Sequence, residues 1–204
     1  MAELRPYGPG DRAAVYDICV RTADAGGDAR GQWSSDDLMP DLFAGPYLHL
    51  EPELAFVVDD GGPVGYVLGT RDTAAFAAAL PTGWTPLVAD KYRDPPTAAE
   101  ADLLAVLTEP ARMVHPWVAD YPAHLHIDLL PGHQRQGWGR RLVDRFRTAV
   151  GVPVHLGVLR ANTAARAFYD RYGFREIDGT DTIAYLGVGA VGESGGGRPP
   201  YDRT

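Results

Sequence analysis

The sequence predicts an α+β domain, and three observations carry that expectation. Two β-rich runs, Leu54 to Asp59 and Val64 to Arg71, are split by Asp60-Gly61-Gly62-Pro63, the composition of a hairpin turn. A helical, proline-punctuated stretch spans Asp72 to Pro122. Beyond it the pattern becomes strand, glycine turn, helix, strand, helix and two closing strands.

Taken in order, Glu3 to Tyr7 reads as a short strand, and Asp11 reads as the cap of a helix in which Ala14, Ile18 and Cys19 share a face. The small, polar segment from Thr22 to Trp33 reads as a mobile loop lining a cleft. A short helix from Ser35 to about Phe43 is expected to be strained by Pro40. After the hairpin come helices over Thr73 to Leu80 and Thr97 to Leu107, the second opened by Thr97 with Glu100 three residues on, a capping box. This stretch reads as an insertion packed on a sheet edge, with Trp84, Tyr92 and Trp117 as core or lid residues. A strand from His124 to Leu130, a helix to about Val150, a strand from Val154 to Val158 and a helix from Thr163 to Tyr172 follow. Gly173 ends that last helix, and Phe174 to Asp178 and Thr182 to Leu186 close the domain. One domain over residues 1–188 is therefore expected, with a Gly/Pro-rich tail over 189–204 that has too little apolar content to fold alone.

Composition narrows the function classes. A chain of 204 residues, 45% hydrophobic and 23% charged, suits a single globular domain. With no run of 18 apolar residues and no basic-then-apolar leader, neither membrane insertion nor secretion is expected, which points to the cytoplasm. A lone cysteine, Cys19, agrees with a reducing compartment and argues against a cysteine metal site. The net charge of −8 repels polynucleotides and favours a cationic partner.

Against that acidic background the segment from Leu125 to Leu142 stands out. An alternating strand runs into a turn holding Gly137 and Gly139, and the turn opens an amphipathic helix carrying Arg135, Arg140 and Arg141 nearby. A helix-interior glycine costs about 1 kcal/mol relative to alanine, so two in one first turn imply a reason such as backbone lying against a ligand. Amide N–H groups at a helix start, with the positive end of the dipole and guanidinium groups, suit a pyrophosphate.

The turn matches Gln/Arg-x-x-Gly-x-Gly/Ala, with Gln134, Gly137 and Gly139 in register behind Leu129-Leu130-Pro131. Asn162, Ala165, Phe168, Tyr169, Gly173 and Phe174 match a second pattern about 25 residues downstream, Asn-x-x-Ala-x-x-hydrophobic-Tyr-x-x-x-Gly-Phe. Together these resemble the GCN5-related N-acetyltransferase (GNAT) family over roughly Met1 to Val188. Gly45-Pro46-Tyr47, the run from Leu50 to Val57 and the insertion are similar to bacterial relatives of the acetyltransferase-like C-terminal domain of O-GlcNAcase.

The resemblance implies a mixed, mostly antiparallel sheet splayed between its fourth and fifth strands, with a helical insertion before the fourth. It implies acetyl-CoA as co-substrate and no metal. The pantetheine arm would lie in the gap, and a backbone N–H of Leu129 or Leu130 would face the developing oxyanion. Diphosphate binding falls to Gln134, Arg135, Gln136, Gly137, Trp138, Gly139 and Arg140. Asn162, Ala165 and Phe168 would touch the arm. Tyr169 would protonate the leaving thiolate, and direct attack by an amine would pass through a tetrahedral intermediate. Members of the family are often dimers, which puts a homodimer among the expectations.

A lysine-like acceptor, with pKa about 10.4, is neutral in only about one molecule in 2,500 at pH 7, so a base is needed. Asp128 and His126, two residues apart on one strand face, are the candidates, with Asp128 preferred for its adjacency to the thioester position. His124, His126 and Asp128 also resemble part of the His-x-His-x-Asp-His ligand run of metallo-β-lactamase-like hydrolases, but Leu129 stands where the last histidine belongs. That reading leaves both patterns above unexplained. The competing reading from another class is a catalytically weak CoA-binding or protein-interaction module on the same fold.

Overall fold

The described residues form a seven-stranded sheet in the order β1-β2-β3-β4-β5-β7-β6. Its strands are β1 (Glu3–Pro6), β2 (Phe56–Asp59), β3 (Pro63–Thr70), β4 (Ala123–Leu129), β5 (Val154–Leu159), β6 (Arg175–Gly179) and β7 (Ile183–Val188). The computed structural model describes residues 1–192, so most of the tail expected over 189–204 lies outside the described residues. Each neighbouring pair is antiparallel except β4 and β5, which run parallel. The hairpin between β2 and β3 turns through Gly61 and Gly62 at φ +80° and +149°, backbone that side chains with a β-carbon rarely adopt.

Among the described residues, eight α-helices cover the two faces: α1 (Arg12–Val20), α2 (Leu38–Phe43), α3 (Gly45–Leu50), α4 (Thr73–Gly83), α5 (Thr85–Val88), α6 (Ala98–Thr108), α7 (Trp138–Val150) and α8 (Thr163–Tyr172). Strand alternation divides the core. Val57, Tyr66 and Leu68 face α1 to α6 and pack with Val15, Ile18, Tyr47, Phe76, Leu80 and Trp84. Phe56, Val58, Val67 and Leu125 face the other way, onto Leu142 and Phe146 of α7 and Tyr169 of α8. Cover on both faces is why β2 reads as an unbroken apolar run.

Several local expectations are corrected. The insertion does not pack on a sheet edge; its Phe76, Leu80, Trp84 and Leu104 share a core with one face of β2 and β3. Pro40 does not strain its helix, because it sits in the first turn of α2, where its missing N–H has no intrahelical partner to lose. Asp11 precedes α1 without capping it, since its carboxylate takes Arg5 and the Gly8 N–H instead. Half of the capping box forms: Thr97 Oγ1 accepts from the Glu100 N–H, whereas the buried Glu100 carboxylate reaches back to Ser34 N–H and Oγ. Ala14 is only half-buried, and Val15 takes its place in the core.

Candidate active site

The site begins where β4 and β5 part. The two strands pair at only two positions, Ala123 with Val154 and His124 with His155, and then diverge. On its other edge β4 stays paired with β3 from His124 to Leu129. Strand backbone alternates its hydrogen-bonding edges, so those β4 residues that bond β3 turn their amides away from the gap. Leu130, just past the end of β4, keeps the same alternation: its N–H donates to Val64 O at 2.9 Å. Leu130 is thereby removed as an oxyanion donor, and Leu129 is the residue whose N–H lies on the open edge. The Leu129 carbonyl accepts from Gln134 Nε2 at 2.9 Å, which ties the end of the strand to the following turn.

That turn leads into α7 with its amides unengaged. From Arg135 to Arg140 no backbone N–H donates to an acceptor among the described residues. Arg135 and Gly137 both hold positive φ, +59° and +86°, turn backbone of the kind in which successive N–H groups can converge on an anion. A β-carbon on Gly137 would meet nothing within 4 Å; its backbone conformation and the open space above it define the position. Gly139 has a different reason: a β-carbon there would stand 3.3 Å from the Phe168 ring, so it lets α8 approach α7.

The side chains around the turn are engaged to different degrees. Trp138 is buried in the core under the Arg141 guanidinium, 4.1 Å above its ring, so it offers an incoming anion only its N–H. Arg140 lies over Tyr172 at 5.2 Å from the ring centroid, and Gln136 Nε2 donates to Gly132 O. Arg135 remains exposed, with no ion pair among the described residues.

The gap opens into a cleft of about 190 Å³ that brings Asp128 and Tyr169 together from opposite faces of the sheet, with His126, Asn162 and Ala165 on its walls. Asp128 accepts from the Tyr66 hydroxyl at 2.6 Å, and burial raises its pKa to about 7, partly offset by that hydrogen bond. The Cys19 thiol beside it is pushed up to about 12 by burial and then by the Asp128 charge. Tyr169 is buried to 8% exposure, and burial followed by the Asp128 charge pushes its pKa up, so it holds its proton at neutral pH. The Tyr169 hydroxyl bonds nothing among the described residues. Asn162 caps α8 through Ala165 N–H at 3.0 Å.

His126 differs from Asp128. Burial, with the His155 charge, lowers its pKa to about 4, and its Nε2 lies 3.1 Å from the Tyr47 hydroxyl. Of the two candidates His126 is thus the weaker base.

The segment expected to be a mobile loop is built as a tight turn. Asp24 and Gly27 exchange backbone hydrogen bonds, with Ala25 and Gly26 at positive φ between them, and Ala29 N–H returns to Val20 O. Thr22, Ala23, Ala25 and Gly26 line the cleft, as expected of a cleft loop, and Gly26 lies close to Asn162. Neither Tyr66 nor Tyr47 is marked as a site residue by the sequence. Tyr66 pairs with Asp128 across β3 and β4, a register that no local pattern reveals.

Comparison with known proteins agrees with this geometry. The Acetyltransferase (GNAT) domain family matches residues 101–176. The crystal structure of SsHAT is 52% identical with a TM-score of 0.87, covering 92% of this chain and 98% of that one. Protein O-GlcNAcase of Rattus norvegicus is 33% identical over 132 residues, 62% of this chain, and the matched part spans 14% of that much longer protein. The fold is shared with PaiA N-acetyltransferase from Thermoplasma acidophilum, solved in complex with coenzyme A, at 11% identity and a TM-score of 0.57, with 93% of this chain and 99% of that chain covered. The chain belongs to the GNAT acetyltransferase family.

Proposed function

We propose that this chain moves the acetyl group of acetyl-CoA onto an amine by direct attack. The observation that carries the reading is the fork between β4 and β5, which joins a row of unengaged amides at one end to Asp128 and Tyr169 at the other. The amides of 135–140, with Arg135 beside them, suit the diphosphate, and the open edge of β4 offers strand-like hydrogen bonds to the pantetheine arm. Asn162, Ala165 and Phe168 flank the same path. The co-substrate supplies the thioester; the chain supplies orientation and proton transfer.

In the reaction, the amine nitrogen bonds to the thioester carbon and the carbonyl oxygen takes the negative charge, facing the Leu129 N–H. Removing one donor of that kind typically costs on the order of 3 kcal/mol in the transition state. Asp128, with a pKa of about 7, accepts the proton that nitrogen loses. As the carbon–sulfur bond breaks, the Tyr169 hydroxyl gives its proton to sulfur. The fully assembled proton donor and acceptor favour an enzyme over a binding module.

Calorimetry with acetyl-CoA, paired with thiol release over a panel of primary amines, tests this reading. Micromolar binding with amine-dependent release is expected. Binding without release on any amine favours the interaction module, and absence of binding defeats both.

A further inference from the structure

We infer that His126 is the group that selects a primary amine as acceptor, through an Nδ1 lone pair that a buried relay holds open to the cleft. The inference rests on the transferase reading above and adds the residue that discriminates among its acceptors.

The relay is fixed from its far end. Thr73 Oγ1 lies 2.7 Å from Pro122 O, a carbonyl that can only accept, so the one hydroxyl hydrogen points there. Towards His124 Nδ1, 2.8 Å away, Thr73 must then accept, which puts the hydrogen on His124 Nδ1. The Nε2 of a neutral His124 is left as an acceptor and takes the Tyr47 hydroxyl hydrogen at 2.7 Å. Tyr47 has used its only hydrogen, so its oxygen accepts from His126 Nε2 at 3.1 Å. His126 therefore carries its hydrogen on Nε2 and a lone pair on Nδ1. Burial keeps both rings neutral, lowering His124 well below its ordinary value.

That Nδ1 has no partner among the described residues, and it is not sealed in the core: the ring lines the cleft, on the same strand face as Asp128. Two acceptors thus meet the incoming nitrogen. A neutral primary amine has two N–H groups, one for Asp128 and one for His126, and keeps its lone pair for the thioester carbon. A secondary amine or an alcohol has one hydrogen and leaves one acceptor unpaired, the kind of mismatch by which sites discriminate most strongly.

The test uses the full chain, 15N-labelled and saturated with coenzyme A. Long-range proton–nitrogen spectra are expected to show His124 protonated on Nδ1 and His126 on Nε2, with His126 neutral to below pH 5. The opposite tautomer at His126 overturns the inference. Titration with n-butylamine is expected to move the His126 Nδ1 resonance, and no movement at saturation also overturns it. In turnover, n-butylamine is expected to exceed N-methylbutylamine at least tenfold in kcat/KM. His126→Leu should erase that preference. His126→Asn, whose side-chain oxygen stands near the lost Nδ1, should keep it. Loss of the pH limb near 7 in His126→Leu would make His126 the base and overturn the assignment. Failure to bind coenzyme A sinks the transferase reading instead, and it leaves the tautomer result unaffected.

Discussion

Gly137 and Gly139 stand two residues apart for different reasons. Gly137 holds φ +86° at the mouth of the amide row, while Gly139 gives Phe168 room. A glutamate at 137 would be strained in backbone and would set a negative charge at the proposed diphosphate position. Gly137→Glu is expected to weaken acetyl-CoA by on the order of 100-fold or more, about 2.7 kcal/mol, by calorimetry; unchanged affinity would remove the cradle. Tyr169→Phe keeps the ring and loses the proton, so kcat should fall on the order of 100-fold with KM for acetyl-CoA little changed. Equal turnover in the two proteins would take Tyr169 out of the mechanism.

Asp128 predicts a pH profile with a definite sign. The groups facing it are the Tyr66, Tyr169 and Thr22 hydroxyls, the Cys19 thiol and the His126 ring. With a pKa of about 7, kcat/KM should rise through neutral pH as the carboxylate forms, and Asp128→Asn should abolish that limb. The same shift opposes stability. A carboxyl whose folded pKa is raised from 3.8 contributes most below its unfolded value and loses that contribution as pH climbs through 7. Asp128→Asn should therefore raise the melting temperature more at pH 8 than at pH 5, while lowering activity. A variant that melts no higher at pH 8 would contradict the buried charge.

At the scale of elements, the fork depends on how tightly β3 grips β4, since β4 has to stay straight where β5 leaves it. Gly69 sets that grip: a β-carbon there would fall 2.0 Å from His124 O and 2.7 Å from the Phe146 ring. The carbonyl belongs to one of the two β4 positions that still pair with β5. Gly69→Ala should push the strands apart and destabilise the fold by about 1–3 kcal/mol or more, read by chemical denaturation. An unchanged denaturation midpoint would show that β4 can shift without cost.

For the molecule as a whole, the buried histidines make acid the weak side of its stability. His124, His126 and His155 all have folded pKa values lowered from 6.5, the last two to about 4, by burial first. A depressed histidine stabilises above 6.5 and loses that contribution as pH falls toward its folded value, because the unfolded chain takes the proton first. Each adds up to about 1.4 kcal/mol per pH unit of loss in that window. The melting temperature should drop steeply between pH 6 and pH 4, and a flat profile there would mean that these rings are solvated.

Short-range chemistry was legible in the sequence because it acts within a few residues. The hairpin glycines, the Thr97 cap, α8 from Thr163 to Tyr172 and the glycine turn before α7 each depend on neighbours along the chain. Two spaced patterns were enough to mark the acetyltransferase family. What the sequence could not hold was pairing between distant segments. Which amide of Leu129 and Leu130 stays open depends on Val64, the strength of Asp128 as a base on Tyr66 and burial, and the tautomer of His126 on Tyr47, Thr73 and a peptide carbonyl. Those partners are brought together by sheet register and by helices closing over both faces, and only once water is excluded do their hydrogen bonds and charges fix what each group does.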